Sequence, residues 1–222
     1  MKEFENIVKD IKNKRFFPVY FLMGEEPYFI DKITNLLEET VLTEEEKSFN
    51  LTISYSKDAS LEEIISICKQ YPMASERTLV IVKEAQNLFK SIDLLENYLI
   101  NIQSSTILVI NYKDKTLDKR KKLYKLINEK GLIVESKKVY ENYLPQWINT
   151  IVKQKNLSID PKASFLFQEY IGNDLSRIEN EVDKIKVHLK ENETITLNEI
   201  EKYIGISKEY NVFELINAIS FK

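Results

Sequence analysis

Glycine, cysteine and histidine are scarce in this 222-residue chain, and each shortage removes a class of function. Only four glycines occur, Gly24, Gly131, Gly172 and Gly205, and no two lie close enough to form Gly-x-Gly-x-x-Gly or Gly-x4-Gly-Lys. Both standard phosphate cradles are thereby excluded, because each needs closely spaced glycines to turn backbone N–H groups toward the ligand. Cys68 is the single cysteine and His188 the single histidine. No intrachain disulfide and no Cys/His zinc cluster can form, and at most one Cys–His dyad is available. Cys68 ends Leu61-Glu-Glu-Ile-Ile-Ser-Ile-Cys68, whose apolar spacing reads as a core thiol. His188 follows Lys184, Ile185, Lys186 and Val187 at an expected helix end, where an imidazole meets terminal carbonyls. No metal site and no cofactor is expected. An excess of one charge is missing as well: 32 Lys and Arg face 35 Asp and Glu, a net charge of -3. That balance argues against wholesale coating of DNA or an anionic membrane and leaves room only for a local basic patch. No apolar run reaches the roughly 18 residues of a membrane span, and Met1-Lys-Glu-Phe-Glu-Asn6 lacks a signal peptide's apolar core. A cytoplasmic protein without a membrane partner is expected.

What is present starts with Pro18-Val-Tyr-Phe-Leu-Met-Gly24-Glu25-Glu26-Pro27-Tyr28-Phe29-Ile30. An apolar run ends at a glycine and passes into a helical pattern, the strand-turn-helix layout in which a nucleotide phosphate sits at a helix start. A phosphate loop of that kind has a second glycine five positions on, followed by lysine; here those positions hold Phe29 and Ile30. Glu25 and Glu26 suit the positive end of the helix dipole, so this degenerate loop satisfies itself and would repel a triphosphate. The third strand agrees. An ATPase of this layout ends that strand in adjacent acidic residues for magnesium and water, whereas Leu79-Val-Ile-Val82 is followed by Lys83 and Glu84. Glu84 reads as a helix-start residue.

Periodicity organises the rest. Phe4, Ile7, Val8 and Ile11 recur at helical spacing, Val19 to Met23 reads as a buried strand, and Glu26 to Glu39 as a helix with Ile30, Ile33, Leu36 and Leu37 on one face. Phe49, Leu51, Ile53 and Tyr55 alternate like a strand, and Leu61 to Lys69 is helical. Strand Thr78–Val82, helical material through Ile100, strand Thr106–Ile110, a basic helix near Asp118 to Glu129 and strand Leu132–Val134 follow. Five alternations with continuous β-branched runs predict an α/β domain over 1–140: a mostly parallel five-stranded sheet with helices on both faces. Beyond Tyr140 no strand is expected. Helices over Tyr143–Gln154, Pro161–Tyr170, Leu175–Leu189 and Leu197–Tyr203 make a small all-helical domain over 141–208. Asp160-Pro161 and the Thr196-Leu-Asn-Glu199 box supply its starts and Gly172 a stop. Val212 to Ile219 is an apolar helical pattern that runs into Lys222, read as the start of a truncated third domain over 209–222.

An α/β nucleotide-type domain followed by a helical lid is the AAA+ layout, and four segments narrow it. They are Val19-Tyr-Phe-Leu-Met-Gly-Glu-Glu-Pro-Tyr-Phe29, Tyr71-Pro-Met-Ala-Ser-Glu-Arg-Thr-Leu-Val80, Lys115-Thr-Leu-Asp-Lys-Arg-Lys-Lys-Leu123 and Gly172-Asn-Asp-Leu-Ser-Arg-Ile-Glu-Asn-Glu-Val-Asp-Lys184. Together they resemble the delta subunit family of the bacterial DNA polymerase III clamp loader, over almost the whole chain. The resemblance implies a subunit that binds and opens the sliding clamp (the beta subunit) without binding ATP. No catalytic residue is implied; polymerase chemistry belongs to the assembly. Other clamp-loader subunits are joined through a carboxy-terminal collar, and DNA is met in the full complex. It places a hydrophobic clamp-binding wedge at Tyr71, Pro72 and Met73, with Met73 where the family often carries an aromatic. The bland reading of the same three residues is a helix-to-strand turn tucked into the core.

Between Lys113 and Lys125, seven Lys or Arg face two Asp. A helix bearing Lys119, Arg120, Lys121, Lys122 and Lys125 has the composition to follow a DNA backbone, or simply to be solvated. Arg177 is expected to pair with Asp174 or Glu181 at helical spacing. Two alternatives stay open: an active AAA+ ATPase, which needs phosphate ligands this sequence lacks, and a delta-prime-like scaffold, whose family usually carries a zinc module and a Ser-Arg-Cys motif, both absent here.

Overall fold

The chain's architecture comes from a computed structural model, which describes residues 2–204. The apolar pattern over Val212 to Ile219 and the expected third domain over 209–222 lie outside the described residues. Two compact units divide at Lys138 and Val139.

The first unit is a three-layer α/β fold. Helix α1 (Lys2–Lys12) precedes strand β1 (Val19–Gly24), α2 (Pro27–Thr40), α3 (Glu44–Asn50), β2 (Leu51–Tyr55), α4 (Leu61–Cys68) and β3 (Thr78–Lys83). Two 3-10 turns lead to α5 (Leu95–Ile100), β4 (Thr106–Lys113), α6 (Lys122–Lys130) and β5 (Leu132–Ser136). The sheet order is β5-β1-β4-β3-β2 and every pairing is parallel, the AAA+-like arrangement the resemblance implies. Parallel strands need crossover helices, which cover both faces and leave central strands no polar side.

Strand β1 shows the consequence residue by residue. Val19, Phe21 and Met23 point to a core with Val80, Val82, Leu108 and Ile110, under Ile64, Cys68, Leu95, Leu99, Leu123 and Ile127 of α4, α5 and α6. Tyr20 and Leu22 point to the opposite core with Leu79, Ile81, Ile107 and Val109, under Ile7, Ile11, Ile30, Ile33 and Leu37 of α1 and α2. A continuous apolar run in the sequence is thus two alternating faces, both buried. Truncating one such residue, for example Ile33→Ala, costs about 2–5 kcal/mol through lost transfer energy and the cavity left behind.

The strand predicted to begin at Phe49 instead begins at Leu51. Residues 44–50 are helical, nucleated by a capping box in which Thr43 Oγ1 accepts the Glu46 N–H and Glu46 accepts the Thr43 N–H. Phe49 sits on that helix and is exposed. Local capping here overrides the alternation that continued into β2.

In the second unit, helices α7 (Leu144–Gln154), α8 (Pro161–Ile171), α9 (Leu175–Lys186) and α10 (Leu197–Ile204) bury Trp147, Ile148, Val152, Phe167, Ile178, Val182 and Ile200. Asp160 caps α8 through the Lys162 N–H, and Gly172 ends it in a left-handed conformation at φ 72°. The absence of strands expected there is corrected: β6 (Ser158–Ile159) pairs in parallel with β7 (Thr194–Ile195). Two-residue strands carry no readable period, and the pairing closes between segments some 35 residues apart in sequence. Among the described residues, no helix is long and apolar enough to cross a membrane.

Candidate functional site

Two loops at different ends of the parallel strands carry two of the three groups of expected site residues. The first follows β1, where Gly24 adopts φ 127° and a Cβ would stand 2.0 Å from the Ser136 carbonyl oxygen. No side chain fits in that space, and the reason is the close pass of β5. Ser136 then takes the loop's own donors. Its carbonyl accepts the Glu25 N–H at 2.9 Å and the Glu26 N–H at 3.4 Å, while its hydroxyl donates to the Glu26 carbonyl at 2.6 Å. The Gly24 carbonyl accepts the Asp114 N–H at 2.9 Å. Glu26 is the buried N-cap of α2, accepting the Tyr28 N–H, with Pro27 in the first turn; Glu25 faces solvent. The groups that would turn toward a phosphate at a helix start are therefore engaged by the neighbouring strand.

The charge beside this loop is also internal. Lys113, at the end of β4, places its Nζ 2.8 Å from Asp31 of α2 and 3.8 Å from Glu84. Glu84 stands at a helix start, as expected, in the N-cap position of the 3-10 turn Ala85–Leu88. It holds a left-handed backbone (φ 57°, ψ 34°), caps nothing with its side chain, and accepts from the Gln86 amide. Gln86 in turn accepts the Lys113 N–H at 3.2 Å. Asp31, Lys113, Glu84 and Gln86 thus form one connected polar group across the ends of β3 and β4.

The second loop joins α4 to β3. Tyr71 and Met73 are 80% and 63% exposed and Pro72 is half-buried, so the tyrosine and methionine are not tucked into the core. Their backbone is held nevertheless. Asn50, only 2% exposed, accepts the Met73 N–H at 2.7 Å and donates to the Met73 carbonyl at 2.9 Å. Ala74 follows at φ 50°, and the Ser75 hydroxyl bridges the N–H and carbonyl of Arg77. Arg77 lies over the Phe16 ring, 5.3 Å from its centre. An open groove of about 750 Å³ runs beside this loop, lined by Lys14, Phe16, Glu39, Thr43, Glu46 and Arg77 among others. The Thr43 N–H, bonded to Glu46, holds that carboxyl below its ordinary range.

Asn50 escapes sequence reading because it stands next to the alternating Phe49-Leu51-Ile53-Tyr55. The available signal was Thr43-Glu-Glu-Glu46, a capping box that starts a helix ending at Asn50.

The basic segment differs from expectation. Helix α6 begins at Lys122, so Lys119, Arg120 and Lys121 lie in the preceding turn rather than on a helix. Asp118 makes that turn by accepting the Arg120 N–H at 2.9 Å, a local bond that competes with helix start. Four of the segment's cations are paired: Lys119 with Glu135 at 2.9 Å, Arg120 with Asp118 at 2.8 Å, Lys121 with Asp93 at 3.0 Å and Lys122 with Glu96 at 3.2 Å. Bonds from Arg120 hold the Asp118 carboxyl down at about 2, and the Glu135 and Asp93 carboxylates raise Lys119 and Lys121.

The remaining candidates are structural. Cys68 is fully buried and its thiol is pushed up to about 12 by burial. His188 stacks on Tyr203 at 4.3 Å between ring centres. Asp174 meets Arg177 through the backbone N–H, as the cap of α9, and Glu181 pairs with Lys184 at 2.7 Å, in place of the ion pairs expected with Arg177.

Comparison with known proteins agrees with this architecture. A family model for the DNA polymerase III delta subunit matches residues 20–137. DNA polymerase III subunit delta of Bacillus subtilis is 27% identical over 96% of this chain and 64% of its own length. The corresponding subunit of Buchnera aphidicola is 24% identical over 96% of this chain and 62% of its own. The chain thus spans somewhat under two thirds of the curated relatives it matches. Among solved structures, the Bacillus subtilis DNA clamp loader delta protein (YqeN) superposes with a TM-score of 0.79 at 28% identity, covering 97% of this chain and 66% of that one. Sequence and fold agree: this chain belongs to the DNA polymerase III delta subunit family.

Proposed function

We propose that this chain binds and opens a sliding clamp through the loop bearing Tyr71, Pro72 and Met73, and that it does so without binding ATP itself. The observation that carries the reading is the exposure of Tyr71 and Met73 on a loop whose backbone is pinned. A large apolar side chain presented in this way gains free energy only when a partner covers it. Covering Met73 contributes about 1.5–3 kcal/mol, the size of an interface hot spot. A flexible thioether adapts to an apolar pocket where an aromatic would demand a fixed slot. Opening then needs no chemistry in this subunit: a surface that binds the open clamp more tightly than the closed ring shifts the population toward opening.

Two further features support independence from nucleotide. The N–H groups of Glu25 and Glu26 are committed to Ser136, and Lys113 is held between Asp31 and Glu84. ATP hydrolysis accordingly falls to partner subunits of the loader in the cytoplasm. DNA contact through Lys119, Arg120, Lys121 and Lys122 would have to compete with four ion pairs, so DNA is assigned to the ring of the complete loader rather than to this turn.

The test mixes the chain with the sliding clamp of the same organism and measures association with and without ATP. Binding of equal strength in both conditions, weakened by Met73→Ala, supports the reading. ATP binding by the chain alone would favour an active ATPase, and absence of clamp binding would favour a scaffold subunit.

A further inference from the structure

Met73 belongs to neither helix nor strand, yet its backbone is satisfied by one side chain from a distant part of the sequence. The Asn50 amide uses both ends on it: Oδ1 accepts the Met73 N–H and Nδ2 donates to the Met73 carbonyl. The same Nδ2 also reaches the Glu46 carbonyl at 3.2 Å, one turn back on α3. An amide carries one acceptor and two donors side by side, so it can pair with a peptide group in both directions. A carboxylate could accept the N–H but would set an anion against two carbonyl oxygens, and an apolar residue could do neither.

Asn50 is itself fixed from both directions. It ends α3, whose start is locked by the reciprocal Thr43–Glu46 bonds, and the next residue, Leu51, enters β2, which pairs with β3. The tie therefore runs from the sheet through α3 to Met73. Ala74, immediately after, holds a left-handed backbone that L residues adopt only when surroundings enforce it.

We propose that Asn50 is the positioning residue of the Met73 docking loop, keeping the methionine presented before any partner arrives. The proposal rests on the clamp-binding reading above. A loop released from this tie populates many backbone states, and apparent affinity falls with the fraction that remains competent. Preorganisation lets Met73 bind without a fresh ordering cost.

A double-mutant cycle tests it, with clamp affinity and melting temperature measured for the chain, Asn50→Ala, Met73→Ala and the pair. Asn50→Ala is expected to weaken clamp binding about tenfold through loss of the competent loop state. In the Met73→Ala background the same change should cost less than about twofold, because the side chain it positions is gone. Amide exchange at residue 73 should accelerate in Asn50→Ala, while exchange in β3 and β4 stays slow. Should Asn50→Ala not fold, Asn50→Asp preserves size and the acceptor for the Met73 N–H while removing both donors, and enters the same cycle with the same expected outcome. Unchanged affinity in the Asn50 variants, or losses that multiply in the double variant, would overturn the role of Asn50 while leaving the clamp reading intact. Unchanged affinity in Met73→Ala would overturn the clamp reading, and this proposal with it.

Discussion

The loop after β1 and the loop before β3 solve opposite problems with similar means. Both are irregular backbone pinned by hydrogen bonds from elsewhere in the first unit. At Gly24 the pinning consumes what a ligand would use: Ser136 takes the Glu25 and Glu26 N–H groups, and β5 fills the space above the glycine. At Met73 the pinning uses only the backbone, through Asn50, and leaves Tyr71 and Met73 in solvent. A loop whose donors face its own protein has little left to offer a phosphate. A loop whose backbone is satisfied and whose apolar side chains are bare offers a protein surface.

The sharpest way to break this comparison is Gly24→Ala. The new Cβ would meet the Ser136 carbonyl oxygen at 2.0 Å on a backbone that favours glycine, so a loss of about 3 kcal/mol is expected. For a chain of this size that lowers the melting temperature by roughly 6–12 °C. A variant that melts with the wild type would show that β5 does not close the loop.

Next in size is Tyr71→Ala with Met73→Ala. Clamp affinity should drop by about 2–4 kcal/mol, given two apolar anchors, while thermal unfolding moves by no more than a degree or two. A large stability loss instead would mean these side chains belong to the fold. Lys113→Met comes third. It removes the cation that Asp31 and Glu84 share while keeping the aliphatic stem, and calorimetry should register about 1 kcal/mol of destabilisation. Gain of ATP binding in that variant would contradict the account of the first loop.

Acid should act on the two loops unequally. The Glu46 carboxyl is held below its ordinary range by the Thr43 N–H, so its folded value lies under its unfolded one. Its contribution is complete above the ordinary carboxylate range and is lost as pH falls through the lowered value. Amide exchange at residue 73 should therefore quicken on acidification below about pH 4.5, relative to Glu46→Gln, in which this dependence disappears. The smallest effect is expected from replacing Lys119, Arg120, Lys121 and Lys122 with alanine. Exposed pairs of this kind contribute little, so unfolding should barely shift; a salt-dependent loss of DNA affinity by the chain would restore a DNA role to the turn.

Much of the first unit was legible because buried strands and amphipathic helices write their periods into the chain. Val19 to Met23 reads as a strand because both faces of β1 are covered, and Ile30, Ile33 and Leu37 read as a helix because one face is. The shortage of glycines made the absence of both Gly-rich phosphate motifs equally plain. The α3 helix was missed where Phe49 extended the alternation of β2 by chance, and with it Asn50. The helix expected from Asp118 gave way to a turn because an aspartate can bond its own backbone two residues on. The tiny β6–β7 pair was too short to leave a pattern.

The amino-acid sequence by itself determined which glycine-rich and Cys/His motifs are missing, the alternation of helix and strand, and the family resemblance, since each depends on residue type and spacing along the chain. Tertiary structure alone decided what polar groups meet when their partners lie far along the chain. Lys113 finds Asp31 across 82 positions, Ser136 reaches back 110 positions to Glu26, and Asn50 crosses 23 to Met73. Hydrogen bonds act over about 3 Å of space, whatever the distance along the chain, and only folding brings such partners within reach.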